Sequence, residues 1–119
     1  QRSSGRFTVN RRTIAKRKRT KLSEIKVELR KRLHQLVPEV GQWLRSVVGG
    51  HNRYYGVPTN LQSLYSFRFN VGRYWYRSLR RRSQRKRLNW ERMRRLLNHW
   101  LPWPSVHHSY PLRRLGVIT

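Results

Sequence analysis

The run Leu61-Gln62-Ser63-Leu64-Tyr65-Ser66-Phe67-Arg68-Phe69-Asn70-Val71-Gly72-Arg73-Tyr74-Trp75-Tyr76-Arg77-Ser78-Leu79-Arg80-Arg81-Arg82 decides the fold of this chain. Leu61, Leu64, Phe67, Val71, Trp75 and Leu79 recur every three or four residues, the period of one helix face. Tyr65, Phe69, Gly72 and Tyr76 form a neighbouring stripe, and two apolar faces predict the most buried element of the fold. Thr59 or Asn60 supplies its cap, directly after the break Gly56-Val57-Pro58. The chain is therefore built around a helix ending near Arg82.

Upstream, Pro38 and Glu39 suit the first turn of another helix, where a missing N–H costs nothing and a carboxylate favours the dipole. Val40, Leu44, Val47 and His51 make its stripe, with Trp43 and Val48 alongside. Gly49-Gly50 weakens it, so it either ends there or bends and continues through Tyr54-Tyr55. Further back, Ile14, Leu22, Ile25, Leu29, Leu33 and Leu36 mark a long first helix with Asn10 as its cap. Before it, residues 1–5 read as linker, and Arg6-Phe7-Thr8-Val9 alternates as a short strand or extended arm. Downstream, Asn89 caps a fourth, shorter helix with Trp90, Met93, Leu97 and Trp100 on one side. Pro102 and Pro104 end it, and the remainder reads as an extended tail. The expected fold is all-α: a small bundle of three main helices and a shorter fourth.

The charge is far from balanced. Among 119 residues, 29 Lys and Arg face four acids (Glu24, Glu28, Glu39 and Glu91), a formal net charge of +25. Such a chain repels itself unless a polyanion neutralises it. Yet 36% of the residues are hydrophobic and 12% aromatic, enough for a core and too many for a solvated basic tail. There is no Cys, which excludes disulfides, Cys-ligated zinc and thiol nucleophiles. No apolar run approaches the length of a membrane span, and no signal peptide is evident. The start at Gln1 leads us to expect a piece of a longer chain.

Catalysis finds little support. Without Asp, and with four scattered Glu, no acid pair or carboxylate cluster for metals is recognisable. Glu24 and Glu28 share a helix face, where pairing with neighbouring cations is the expected role. The histidines at 34, 51, 99, 107 and 108 lack metal-ligand spacing. No catalytic residue, metal site or cofactor is therefore assigned. The informative pattern is cations interleaved with aromatics. Candidate nucleic-acid contacts are Arg11, Arg12, Lys16, Arg17, Lys18 and Arg19 on the first helix, with Arg53, Tyr54 and Tyr55 at the second break. Arg77, Arg80, Arg81, Arg82, Arg85, Lys86 and Arg87 form another cluster, and Arg94 and Arg95 follow on the fourth helix. Trp43, Trp75 and Trp90 lie on apolar stripes and are expected in the core, whereas Trp103, at a break, is open to stacking.

Several of these residues carry a resemblance. Phe7-Thr8-Val9 before a basic helix, then Trp43-Leu44-Arg45-Ser46-Val47-Val48-x-Gly50-His51-x-x-Tyr54-Tyr55-x-Val57-Pro58, resembles the C-terminal part of bacterial group II intron reverse transcriptase/maturases. Tyr74-Trp75-Tyr76-x-x-Leu79-Arg80-Arg81-Arg82-Ser83-Gln84, Trp90-Glu91-Arg92-Met93-Arg94-Arg95-Leu96 and Tyr110-Pro111-Leu112-Arg113 look like the same family, so the similarity spans nearly the whole chain. It implies that residues 1–9 join a polymerase palm that is absent here. It further implies that residues 10–87 form the thumb, or maturase-specific domain, and that 88–119 belong to a downstream DNA-binding segment. The implied function is binding of intron RNA and the template–primer duplex, in support of splicing, reverse transcription and retrohoming. The implied setting is a ribonucleoprotein in the bacterial cytoplasm, with fingers and palm of the same protein as partners and target DNA as a possible further one. The parent polymerase would need Mg2+, but its Tyr-Ala-Asp-Asp motif is not in this sequence, and neither is a His-Asn-His endonuclease motif. Two other classes fit the composition: a standalone structural RNA-binding protein, and a module that grips duplex target DNA. A membrane-active cationic helix fits less well, because the aromatics are spread over several helices.

Overall fold

The computed structural model describes residues 2–82 and 88–106, with side chains from Arg12 onward. Four α-helices build the described fold: α1 (Arg2–Lys31), α2 (Val37–Tyr55), α3 (Leu61–Arg82) and α4 (Trp90–Trp100). No strand occurs among the described residues. The expected arm at residues 6–9 is instead part of α1, which runs through the expected cap Asn10. A strand this short needs a partner for its backbone groups, whereas a helix satisfies its own along its length. The extended tail expected beyond Val106 lies outside the described residues.

The other boundaries follow local chemistry. After Lys31 the chain tightens into a turn, Gln35 N donating to Arg32 O at 3.0 Å, so Leu33 and Leu36 fall outside α1. Pro38 enters α2 in its first turn beside Glu39, as expected. The two glycines do not end α2, which continues unbroken to Tyr55. A 3-10 turn, Pro58–Asn60, leads directly into α3. Asn60 consequently does not cap α3. Its Nδ2 donates to Tyr55 O at 3.0 Å and closes the end of α2 instead. Asn89 does cap α4, accepting from Arg92 N at 2.9 Å.

One core joins all four helices. Leu22, Ile25 and Leu29 of α1 meet Val40, Leu44 and Val48 of α2, Phe67, Val71 and Trp75 of α3, and Met93 and Leu97 of α4. Trp75 is fully buried as expected, and Trp43 and Trp90 are half-buried against the core. Two glycines permit the closest approaches. A Cβ on Gly72 would stand 2.7 Å from a methyl of Leu97, and one on Gly41 would enter the Trp100 ring. The second apolar face expected of α3 is only partly covered. Gly72 and Tyr76 pack inward, but Tyr65 and Phe69 remain half exposed. No helix among the described residues is long and apolar enough to cross a membrane.

Candidate nucleic-acid interface

Successive residues of a helix point about 100° apart, so a contiguous basic run is dispersed around its axis. The run Lys16–Arg19 behaves this way. Lys16 and Arg17, with Thr20 and Lys21 one turn later, line a groove between α1 and α2. Lys18 continues the buried line of Leu22, Ile25 and Leu29 and is half-buried, and that burial lowers its pKa. Arg19 and Arg12 are exposed outside the groove. The side chain of Arg11 is outside the described set.

The opposite wall comes from α2: Ser46, Val47, Gly50, His51, Tyr54 and Tyr55. The cavity measures about 790 Å³, well within the size of ligand-binding clefts. A column of rings rises from the core to its mouth. His51 stacks on buried Phe67 with centroids 3.7 Å apart and planes 9° apart. Tyr55 lies 4.7 Å from His51, and Tyr54 meets Tyr55 edge-on at 4.7 Å. Tyr54, at the outer end, is 55% exposed. Burial, reinforced by Lys18 and Lys21, pushes the His51 imidazole down to about 4, so it is neutral at pH 7. Glu24 sits on the rim, 3.9 Å from Lys21. Four residues singled out by sequence, Lys16, Arg17, Tyr54 and Tyr55, thus converge on one groove.

A smaller cavity of about 150 Å³ lies between α1 and α3. Lys26 and Arg30 enter it from α1, Arg77 and Arg81 from α3, and Tyr74 forms part of the wall. Lys26 stands 5.4 Å over the Tyr74 ring. Sequence reasoning found Arg77 and Arg81 but missed Lys26 and Arg30, as it missed Lys21 in the larger groove. The signal was available: Lys26 and Arg30 are four apart and flank Leu29, an arrangement that sets two cations beside a buried stripe.

Other candidates are engaged elsewhere. Arg82 donates to Gln35 O at 2.7 Å and ties α3 to the turn after α1. Arg80 donates to the Tyr76 hydroxyl at 3.0 Å. Arg53 is exposed near the end of α2, Arg94 and Arg95 are exposed on α4, and none of the three lines either cavity. Arg85, Lys86 and Arg87 lie outside the described residues. Glu28 pairs with Arg32 at 3.1 Å, so the ion-pairing role expected for Glu24 and Glu28 holds.

Among the described residues, no group of three His, Asp or Glu is placed to hold a metal ion. Comparison of the chain with protein families, characterised proteins and solved structures yields no match.

Proposed function

We propose that this chain is an RNA-binding helical domain of the kind that forms the thumb of group II intron reverse transcriptase/maturases, gripping the RNA backbone in the α1–α2 groove. The observation that carries the proposal is the convergence of Lys16, Arg17 and Lys21 with Tyr54 in one open cleft. Cations there replace the counterions condensed on phosphates, and their release drives binding. Tyr54 offers an exposed ring to an unpaired base or a ribose at the groove mouth. Lys26, Arg30, Arg77 and Arg81 extend the positive surface along the other flank of α1. The family resemblance makes RNA the favoured polyanion, since A-form duplexes are held by backbone and shape.

In this reading the domain does binding work. It neutralises intron RNA so that the folded RNA performs the splicing chemistry, and it steadies the template–primer duplex for a polymerase whose Mg2+ and acids reside in the fingers and palm. Titrating an RNA hairpin at several salt concentrations tests the proposal. Lys16→Ala/Arg17→Ala/Lys21→Ala should weaken binding and reduce the salt slope by roughly 0.7–0.9 for each phosphate no longer neutralised. Unchanged affinity in a folded triple variant refutes the groove. Duplex DNA competing as well as the hairpin replaces the RNA reading with the DNA-binding one.

A further inference from the structure

The outer face of α3 carries a feature that neither groove uses. Tyr65, Phe69, Arg73, Tyr76 and Arg80 follow one another at spacings of four, four, three and four, a single stripe along the helix. The adjoining face, with Leu64, Phe67, Val71 and Trp75, is already fully buried; Tyr76 packs against that core, while Tyr65 and Phe69 are surplus to it. Tyr65 is 49% exposed and Phe69 52%. Two tryptophans from the α4 region frame the stripe. Trp103, 55% exposed, lies 6.3 Å from Tyr65, and Trp90 meets Phe69 at 6.1 Å and Tyr76 at 5.2 Å, both near edge-on.

Cations stand among the rings. The Arg73 guanidinium is 5.8 Å from the Phe69 centroid, and that of Arg80 is 5.6 Å from Tyr76. No acid lies on α3; the sequence holds none between Glu39 and Glu91, the latter beside Trp90. Exposed aromatics alternating with unneutralised cations suit a ligand with flat faces and a regular negative charge. A duplex hides its base faces from stacking rings. Unpaired bases meet both requirements.

We propose that this face of α3, bordered by Trp90 and Trp103, is a second nucleic-acid site that takes a single-stranded segment, its bases stacking on Tyr65, Phe69 and Trp103 and its phosphates meeting Arg73 and Arg80. The site stands apart from the α1–α2 groove and does not depend on the groove's assignment. Its ligand is recognised chiefly by unpaired bases stacked on several rings, that of the groove chiefly by backbone phosphates.

The test measures binding of a short unstructured oligouridylate, an RNA hairpin and heparin to the full chain. Tyr65→Ser/Phe69→Ser should cut oligouridylate affinity by about tenfold or more, the size of effect seen when stacking rings are removed. Affinity for heparin should stay within about twofold, because it has no bases, and affinity for the hairpin should fall less than that for oligouridylate, because only its loop bases are unpaired. Tyr65→Phe/Phe69→Tyr should restore the wild-type value. If the double variant loses helicity by circular dichroism, Tyr65→Ser alone, remote from Trp90, carries the test. Unchanged oligouridylate affinity in a folded variant overturns the site, whatever the groove variants do. Loss of self-association without loss of oligouridylate affinity also overturns it, and makes this face a protein-docking surface.

Discussion

The guanidinium of Arg68 donates to Leu97 O at 3.0 Å and to Leu101 O at 3.3 Å, and its central carbon stands 3.5 Å from the centroid of the Trp103 ring. Leu97 O already accepts from Leu101 N at 2.9 Å, so the guanidinium adds a second bond there and supplies a donor to Leu101 O just beyond the end of α4. Arg68→Met should cost about 1–3 kcal/mol, the penalty for unsatisfied buried polar groups, and urea unfolding should show it. Arg68→Lys should rescue little, because a single ammonium lacks the planar fork. His51 offers a second prediction. The imidazole is held down to about 4, while an unfolded His titrates near 6.5, so the unfolded chain binds the proton first. His51 therefore contributes fully above pH 6.5 and loses that contribution as pH falls towards 4. Melting temperature followed over this window should fall more steeply in wild type than in His51→Phe, which keeps the stack on Phe67. At this scale, sequence found the residues that lie at breaks or in runs, such as Tyr54 and Lys16. It overlooked Arg68, whose signal was an arginine in line with Leu64, Val71 and Trp75, because a cation on an apolar stripe reads as noise until its carbonyl partners are known.

Helix existence was legible because apolar period and breakers act locally: α3, the Pro38 entry into α2 and the Asn89 cap of α4 all follow from nearby residues. The start of α1, the role of Asn60 and the continuity of α2 through Gly49-Gly50 were not, since each depends on what the chain packs against or pairs with. The glycines separate into two kinds, which gives a paired test. Gly50 has open space around its missing Cβ, so Gly50→Ala should stabilise the protein by about 0.5–1 kcal/mol through helix propensity and reduced unfolded-state entropy. Gly41 faces the Trp100 ring. There the same propensity gain meets an overpacking penalty of about 1–3 kcal/mol, so Gly41→Ala should destabilise. Thermal unfolding checks both signs, and Trp fluorescence in Gly41→Ala should report displacement of Trp100. A stabilised Gly41→Ala would mean that α4 yields without resisting.

Across the whole molecule, a net charge of +25 sets folding and binding against each other in their response to salt. Screening relieves self-repulsion, so melting temperature should rise with ionic strength, while RNA affinity should fall over the same range. A melting temperature that fell with salt would show that specific ion pairs outweigh the repulsion, and only Lys21–Glu24 and Arg32–Glu28 are present among the described residues. The arginines that tie the fold together use another chemistry. Arg45 donates to His99 O at 2.8 Å, Arg68 to Leu97 O and Leu101 O, and Arg82 to Gln35 O. Their acceptors are neutral carbonyls, with no opposing ionic charge for salt to screen. This has a use at the bench. A concentrated-salt wash should strip carried-over nucleic acid from the purified protein while α4 stays docked, so an empty and still folded preparation is recoverable without denaturant and refolding.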